Sequence, residues 1–219
     1  TLRDNDRIIQ GSHPVGWCPV DQNPVSQHDT MGDVEPKIND ENYLVKFKLD
    51  EYVFPITTLR PETIFGITNL WVNPNTIYKK IKADDEKWIV SQECAEKLEF
   101  FGKEIVIEGD IKGTDLIGKF AKAPHTEQEI PIFEAEFVES GMGTGLVMSV
   151  PAHAPKDYQA LMDLKSKNHE LASKIEPIPI ITTEGYGNIP AKDVCERLGV
   201  TDQIDLKLEE ATEELYLKE

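Results

Sequence analysis

The chain has 219 residues, 39% of them hydrophobic, and 23 basic against 40 acidic side chains leave a net charge of −17. That length can bury a proper core, while the charge argues against a free-standing nucleic-acid binder, because phosphate contacts come from Lys and Arg. Cys18, Cys94 and Cys195 are odd in number and widely spaced, so neither a disulfide framework nor a CxxC metal pair is visible and a reducing compartment is expected.

No apolar run approaches the length of a membrane span. Thr1-Leu2-Arg3-Asp4 carries neither an initiator Met nor a leader pattern, and the chain reads as a piece cut from something longer. Residues 1–42 are punctuated by Asn5-Asp6, Gly11-Ser12-His13-Pro14, Asn23-Pro24, Gly32-Asp33 and Asn39-Asp40, which predicts an irregular connecting segment with a short strand near Val15-Gly16-Trp17. Cys18 with His13 and His28 lacks the paired spacing of a metal site, and a packed thiol with surface histidines is the reading.

Regular structure is expected from residue 43 to the end. Tyr43, Val45, Phe47 and Leu49 alternate with Lys46 and Lys48, the period of a half-buried strand. A second strand follows over Tyr52 to Thr58, with Pro55 demoting it to an edge or a bulge. Further strands are predicted at Ile67–Val72, Ile77–Ile81, Trp88–Val90, Glu104–Glu108, Thr114–Ile117, Ile130–Phe133, Ala135–Glu139, Leu146–Val150 and Ile178–Ile181. Ser91 should cap a helix that runs to about Phe100 and stops at Gly102. Pro155 should open a helix reaching about Lys174, and Pro190 a shorter one stopped by Gly199. Leu208, Ala211, Thr212 and Leu215 mark a final acidic amphipathic helix. Many short strands with few helices imply an α+β domain: an antiparallel or mixed, barrel-like sheet with several peripheral helices.

Two stretches carry the chemistry. Thr57-Thr58-Leu59-Arg60-Pro61-Glu62-Thr63 offers three hydroxyls and a guanidinium around a proline turn. Alternation puts Thr57 and Thr58 on opposite faces unless the turn breaks the pleat. Gly141-Met142-Gly143-Thr144-Gly145, then an apolar strand, His153 and Asp157, offers a close backbone approach followed by one carboxylate. Asp157 falls at the third position of the predicted helix, where the dipole favours it by ~0.3–1 kcal/mol. The sequence shows no Ser-His-Asp order, Walker loop or metal cluster. Taken singly, the threonine run reads better as a strand followed by a capping turn, the glycines read equally well as a β-bulge, and Asp157 reads as an ordinary first-turn acid. If the two stretches meet, they suit hydrolysis of an already reactive bond by a positioned water.

Together the stretches resemble the paired motifs of class I aminoacyl-tRNA synthetase editing domains. Thr58-Leu59-Arg60-Pro61-Glu62-Thr63, with Phe65-Gly66 and Asn69, is similar to the threonine-rich motif, and Gly143 through Asp157 to the second motif. The Val147-Met148 pair before Val150-Pro151 resembles the leucyl enzymes rather than the valyl or isoleucyl ones. Leu59 and Glu62, together with Gly11-Ser12-His13-Pro14-Val15-Gly16-Trp17-Cys18-Pro19 and Glu184-Gly185-Tyr186-Gly187, resemble the archaeal and eukaryotic cytosolic form.

The resemblance implies an inserted editing domain over 43–219, preceded by the connecting segment 1–42. It implies hydrolysis of the ester between a wrong amino acid (isoleucine, norvaline or methionine) and the terminal adenosine of leucine tRNA. It also implies a monomeric cytoplasmic domain, not membrane-bound, with tRNA and the rest of a synthetase as partners. No metal and no cofactor belong to this domain; ATP and Mg would serve the full-length enzyme. By motif position, Asp157 would bind the substrate's ammonium, Thr63 would exclude leucine, and Thr58 would bond the substrate or the attacking water. Arg60 would lie near the ribose or phosphate. Met148, Ser149 and Val150 would form the floor, and Thr57, Leu59, His153 and Lys156 would line the site. Asp157→Ala is expected to abolish activity and leave the fold intact.

Two positions depart from bacterial relatives. Ala154 stands where they have Asp, so the helix lacks that cap, and Leu59 stands where they have Thr. Two other readings stay open: a valyl- or isoleucyl-type editing domain, and a non-catalytic RNA-docking module.

Overall fold

A computed structural model describes residues 5, 7–8, 15–18, 20–29, 43–124 and 128–219. The turns read at Gly11-Ser12-His13-Pro14, Gly32-Asp33 and Asn39-Asp40 lie outside the described residues. Strands β1 (Gly16–Cys18) and β2 (Asn23–Val25) pair as a separate antiparallel ribbon.

The lysine-apolar alternation produces β3 (Tyr43–Leu49), in which Phe47 and Leu49 are buried and Lys46 and Lys48 exposed. Asp50, at φ +54°, turns the chain into β4 (Tyr52–Thr58), paired antiparallel to β3 along its whole length. Then come β5 (Asn69–Val72), β6 (Ile77–Ala83), β7 (Glu86–Val90), helix α1 (Gln92–Phe100) and β8 (Ile105–Lys112). Strands β9 (Phe120–Lys122), β10 (Glu129–Glu134) and β11 (Leu146–Ser149) complete one nine-stranded sheet, ordered β11-β5-β10-β9-β3-β4-β7-β6-β8. Two pairings are parallel, β4 with β7 and β5 with β10, so the sheet is mixed. Among the described residues no pairing joins β11 to β8, and the barrel-like sheet is open.

Helices α2 (Pro155–Ser166), α3 (Pro190–Leu198) and α4 (Lys207–Tyr216) follow the last strand. Strand β5 faces two ways. Leu70 and Val72 join the main core with Phe47, Phe54, Ile130 and Ile132, while Trp71 joins Phe133, Leu161 and Leu164 beneath α2. Each such side chain contributes roughly 1.5–3 kcal/mol on burial. Tyr158, Val194, Leu208, Ala211 and Leu215 weld the three helices together.

Ser91 caps α1 by accepting from the Cys94 N–H, and Gly199 ends α3 at φ +65°, both as the sequence predicts. Five expectations are corrected. Thr114–Ile117 is not a strand; a 3-10 turn (Gly113–Asp115) begins that stretch. Ala135–Glu139 leaves the sheet after the Ala135 N–H bonds the Val72 carbonyl. Ile178–Ile181 is no strand, because the Ile180 N–H is spent on the His153 ring. Helix α2 stops at Ser166, with Asn168 at φ +57°, rather than at Lys174. Finally, Pro55 lies in an inner strand, where the β7 pairing is confined to Val53↔Trp88 and leaves Pro55 unpaired on that side.

Candidate functional site

The two chemical stretches meet. At Gly143, φ is +55°, and a Cβ there would sit 2.2 Å from the Thr57 Oγ1, so only glycine lets the loop approach the threonine run. The loop is held from behind, where the Ser91 N–H donates to the Thr144 carbonyl and Lys97 to that of Gly141.

The turn after β4 is knitted by its own hydroxyls. Thr58 Oγ1 accepts from the Arg60 N–H at 3.1 Å, and Thr63 Oγ1 donates to the Arg60 carbonyl at 2.6 Å. Thr58 therefore keeps a proton to donate. The buried Thr63 keeps its methyl as the group not engaged in hydrogen bonding. Leu59 is 54% exposed at the tip.

Asp157, third residue of α2, is buried. Its Oδ1 accepts from the Trp71 indole N–H at 3.0 Å and its Oδ2 from the Val150 N–H at 2.8 Å. Burial pushes its carboxyl up to about 7, against the opposing pull of those two hydrogen bonds and of the Arg60 charge. The Arg60 charge thus reaches from the threonine turn to the acid, as the smallest of these influences.

Tyr216 and Glu219 cover Arg60. Arg60 bonds Glu219 at 2.7 Å and lies over the Tyr216 ring, 4.2 Å from its centroid. The Glu219 side chain is fully buried, and its Oε1 also meets His153 Nδ1 at 2.6 Å and the Thr183 hydroxyl at 3.2 Å. The Ile180 N–H points at His153 Nε2, which fixes the ring proton on Nδ1, facing Glu219. Burial opposes ionisation of Glu219, yet the His153 and Arg60 hydrogen bonds hold its carboxyl below the usual range. One cleft lined by Trp88 and Lys103 and another lined by Tyr52 and Lys80 include neither Arg60 nor Asp157.

The other expected residues scatter. Met148 and Val150 are core side chains packed with Ile64 and Ile180. Ser149, fully buried, faces Asn69 across the β5–β11 pair, and its Oγ and the Asn69 Nδ2 have no hydrogen-bond partner among the described residues. Lys156 turns away to Glu209 on α4, at 2.6 Å. Three participants escaped sequence reasoning: Trp71, Tyr216 and Glu219. Trp71 reads as an ordinary strand aromatic, Tyr216 ends an acidic helix and Glu219 follows it, where charges look merely solvated; no sequence signal singles them out.

The family model for "Leucyl-tRNA synthetase, editing domain" matches residues 40–177. Leucine–tRNA ligase of Methanothrix thermoacetophila is 48% identical over the whole chain, and that of Pyrobaculum aerophilum 44%. The chain spans 24% and 22% of those two relatives' lengths, about a quarter. Among solved structures, that of GlLeuRS-CP1 superposes with a TM-score of 0.66 at 31% identity, covering 78% of this chain and 71% of its own. The editing domain of the P. falciparum cytosolic leucyl-tRNA synthetase gives 0.70 at 24% identity, covering 76% and 66%, which speaks to the fold alone.

Proposed function

The chain belongs to the leucyl-tRNA synthetase editing-domain family, and on that premise we propose that it hydrolyses the ester joining a wrong amino acid to the terminal adenosine of leucine tRNA. Water oxygen attacks the ester carbonyl carbon and the bond to the ribose oxygen breaks. That oxygen takes the proton, and free amino acid and deacylated tRNA leave.

The observation that carries this reading is the Asp157 carboxylate, buried within reach of the Arg60 charge on the threonine turn and with both oxygens already oriented by N–H donors. Each oxygen keeps a lone pair, and an α-ammonium is the cation such a group would take. An ammonium would also offset the cost of ionising the acid where it is buried. Thr58 retains a hydroxyl proton for the carbonyl or the water. The methyl of Thr63 sets the width of the side-chain space. Arg60 serves the ribose or phosphate once Glu219 has moved off it, with His153 beside it. Met148 and Ser149 from β11, and Val150 just past it, support the site from beneath, and Thr57 and Leu59 lie around it, while Lys156 is held by Glu209.

A synthetic pocket separates side chains that differ by one methylene by only ~1–3 kcal/mol, and a second site of different shape supplies the missing discrimination. The reaction as written needs no metal or cofactor in this domain. The partners we assign are tRNA and the remainder of a cytoplasmic synthetase; with a charge of −17, this chain cannot supply most of the tRNA affinity itself. The test is to incubate the chain with isoleucyl-, norvalyl- and leucyl-tRNA for leucine. Release of isoleucine and norvaline above the spontaneous rate, with leucine spared, is expected. Release at the spontaneous rate for all three, even at high protein concentration, overturns the reading.

A further inference from the structure

Helix α2 begins without a side-chain cap: Ala154 stands at the N-cap position and Pro155 follows. A first-turn acid in such a helix would ordinarily be free to turn back toward the exposed N–H groups. Asp157 does not. Its two oxygens are taken by donors from two other elements, the Val150 N–H just past β11 and the Trp71 indole N–H on β5, 86 residues away in sequence.

The indole cannot swing freely. Trp71 is fully buried, with Phe133 and Phe137 each 6.1 Å from it, ring centroid to centroid, and inclined at 50° and 72°. One hydrogen bond would leave the carboxylate free to rotate about its last torsion, whereas two from different directions fix its plane.

We propose that Trp71 is a positioning residue for the editing reaction, its indole N–H holding the plane of the Asp157 carboxylate so that the remaining lone pairs meet the substrate's ammonium. This rests on the editing reading above. Phe at position 71 would keep an aromatic ring there, with a gap where the rest of the indole lay, and leave Oδ1 without its donor. The other charged or titratable groups around the acid stay in place: Arg60 from the turn, and Tyr216, Glu219 and His153 beyond it. The direction of the effect follows, since the Trp71 hydrogen bond favours the ionised acid against its burial.

The experiment compares wild type, W71F and a chain carrying benzothienylalanine at position 71, in which sulfur replaces the N–H at nearly constant shape. The Asp157 carboxyl carbon is titrated by NMR in the free protein, and deacylation of isoleucyl-tRNA is followed across pH. Loss of a hydrogen bond to a charged group should raise the Asp157 titration midpoint by about one pH unit and slow deacylation about fivefold at neutrality, with recovery at higher pH. The benzothienylalanine variant should behave like W71F, which keeps the test open if W71F folds poorly. An unmoved titration in both variants overturns the inference, as does a rate loss that is equal at every pH. A shifted titration with no deacylation by wild type upholds the geometry and overturns the editing reading instead.

Discussion

Arg60 and Glu219 lie 159 residues apart in sequence, and their charged groups are 2.7 Å apart in the fold. On the proposed reading Arg60 serves an anionic part of the substrate, and Glu219 would have to leave the guanidinium before substrate meets it. Glu219→Gln keeps an amide oxygen for Arg60 or His153 but removes the charge. The competent population should rise and the KM for misacylated tRNA fall about three- to tenfold. The protein should lose about 1–3 kcal/mol of stability. Steady-state kinetics with urea unfolding check both, and an unchanged KM would show that Glu219 does not obstruct the site.

Asp157 gives stability a pH dependence of definite sign. Its carboxyl is held near 7 by burial, above the ordinary 3.8, so the folded protein binds this proton more tightly than the unfolded chain does. The contribution is fully present below pH ~4 and is lost as pH rises through about 7. Asp157→Asn should therefore remove a downward slope of unfolding free energy between about pH 4 and 7. Unfolding of both proteins at several pH values measures that difference. A ligand ammonium should release the proton, so binding of a non-hydrolysable aminoacyl adenosine should weaken as pH falls below about 7.

Asp157→Ala will not leave the fold untouched, contrary to what the sequence suggests. It strips the acceptor from two N–H donors, and each buried unsatisfied donor costs about 1–3 kcal/mol. Urea denaturation should show a loss of about 2–5 kcal/mol. A loss under 1 kcal/mol would mean that both donors find other acceptors.

Gly143→Ala should separate the two motifs. The substitution combines a φ of +55° with a Cβ 2.2 Å from the Thr57 Oγ1. A destabilisation of about 1–3 kcal/mol and a marked fall in kcat are expected. In a Thr57→Ala background the steric part should vanish and the backbone part persist. Equal costs in the two backgrounds would place the strain in the backbone alone.

Thr63 separates two explanations of leucine exclusion, because its hydroxyl is spent on the Arg60 carbonyl. Thr63→Ser keeps the hydroxyl and removes the methyl; Thr63→Val does the reverse. Leucyl-tRNA should become a substrate of the serine variant and remain spared by the valine variant. The opposite pattern would assign exclusion to the hydrogen-bonded turn.

Much of this protein was legible along the chain because its signals are local. Alternating lysines set out β3, Ser91 and Gly102 bracketed α1, and Pro190 with Gly199 marked both ends of α3. The two motifs, with their hydroxyls, their glycines and Asp157, were visible for the same reason. What tertiary structure alone decided is which donor satisfies which acceptor. The Ile180 N–H went to a histidine ring instead of a strand, the Asp157 oxygens to an indole on β5 and a strand end, and Arg60 to the carboxylate of Glu219. Buried polar groups must be paired wherever the fold brings a partner within reach, and sequence distance places no limit on that search.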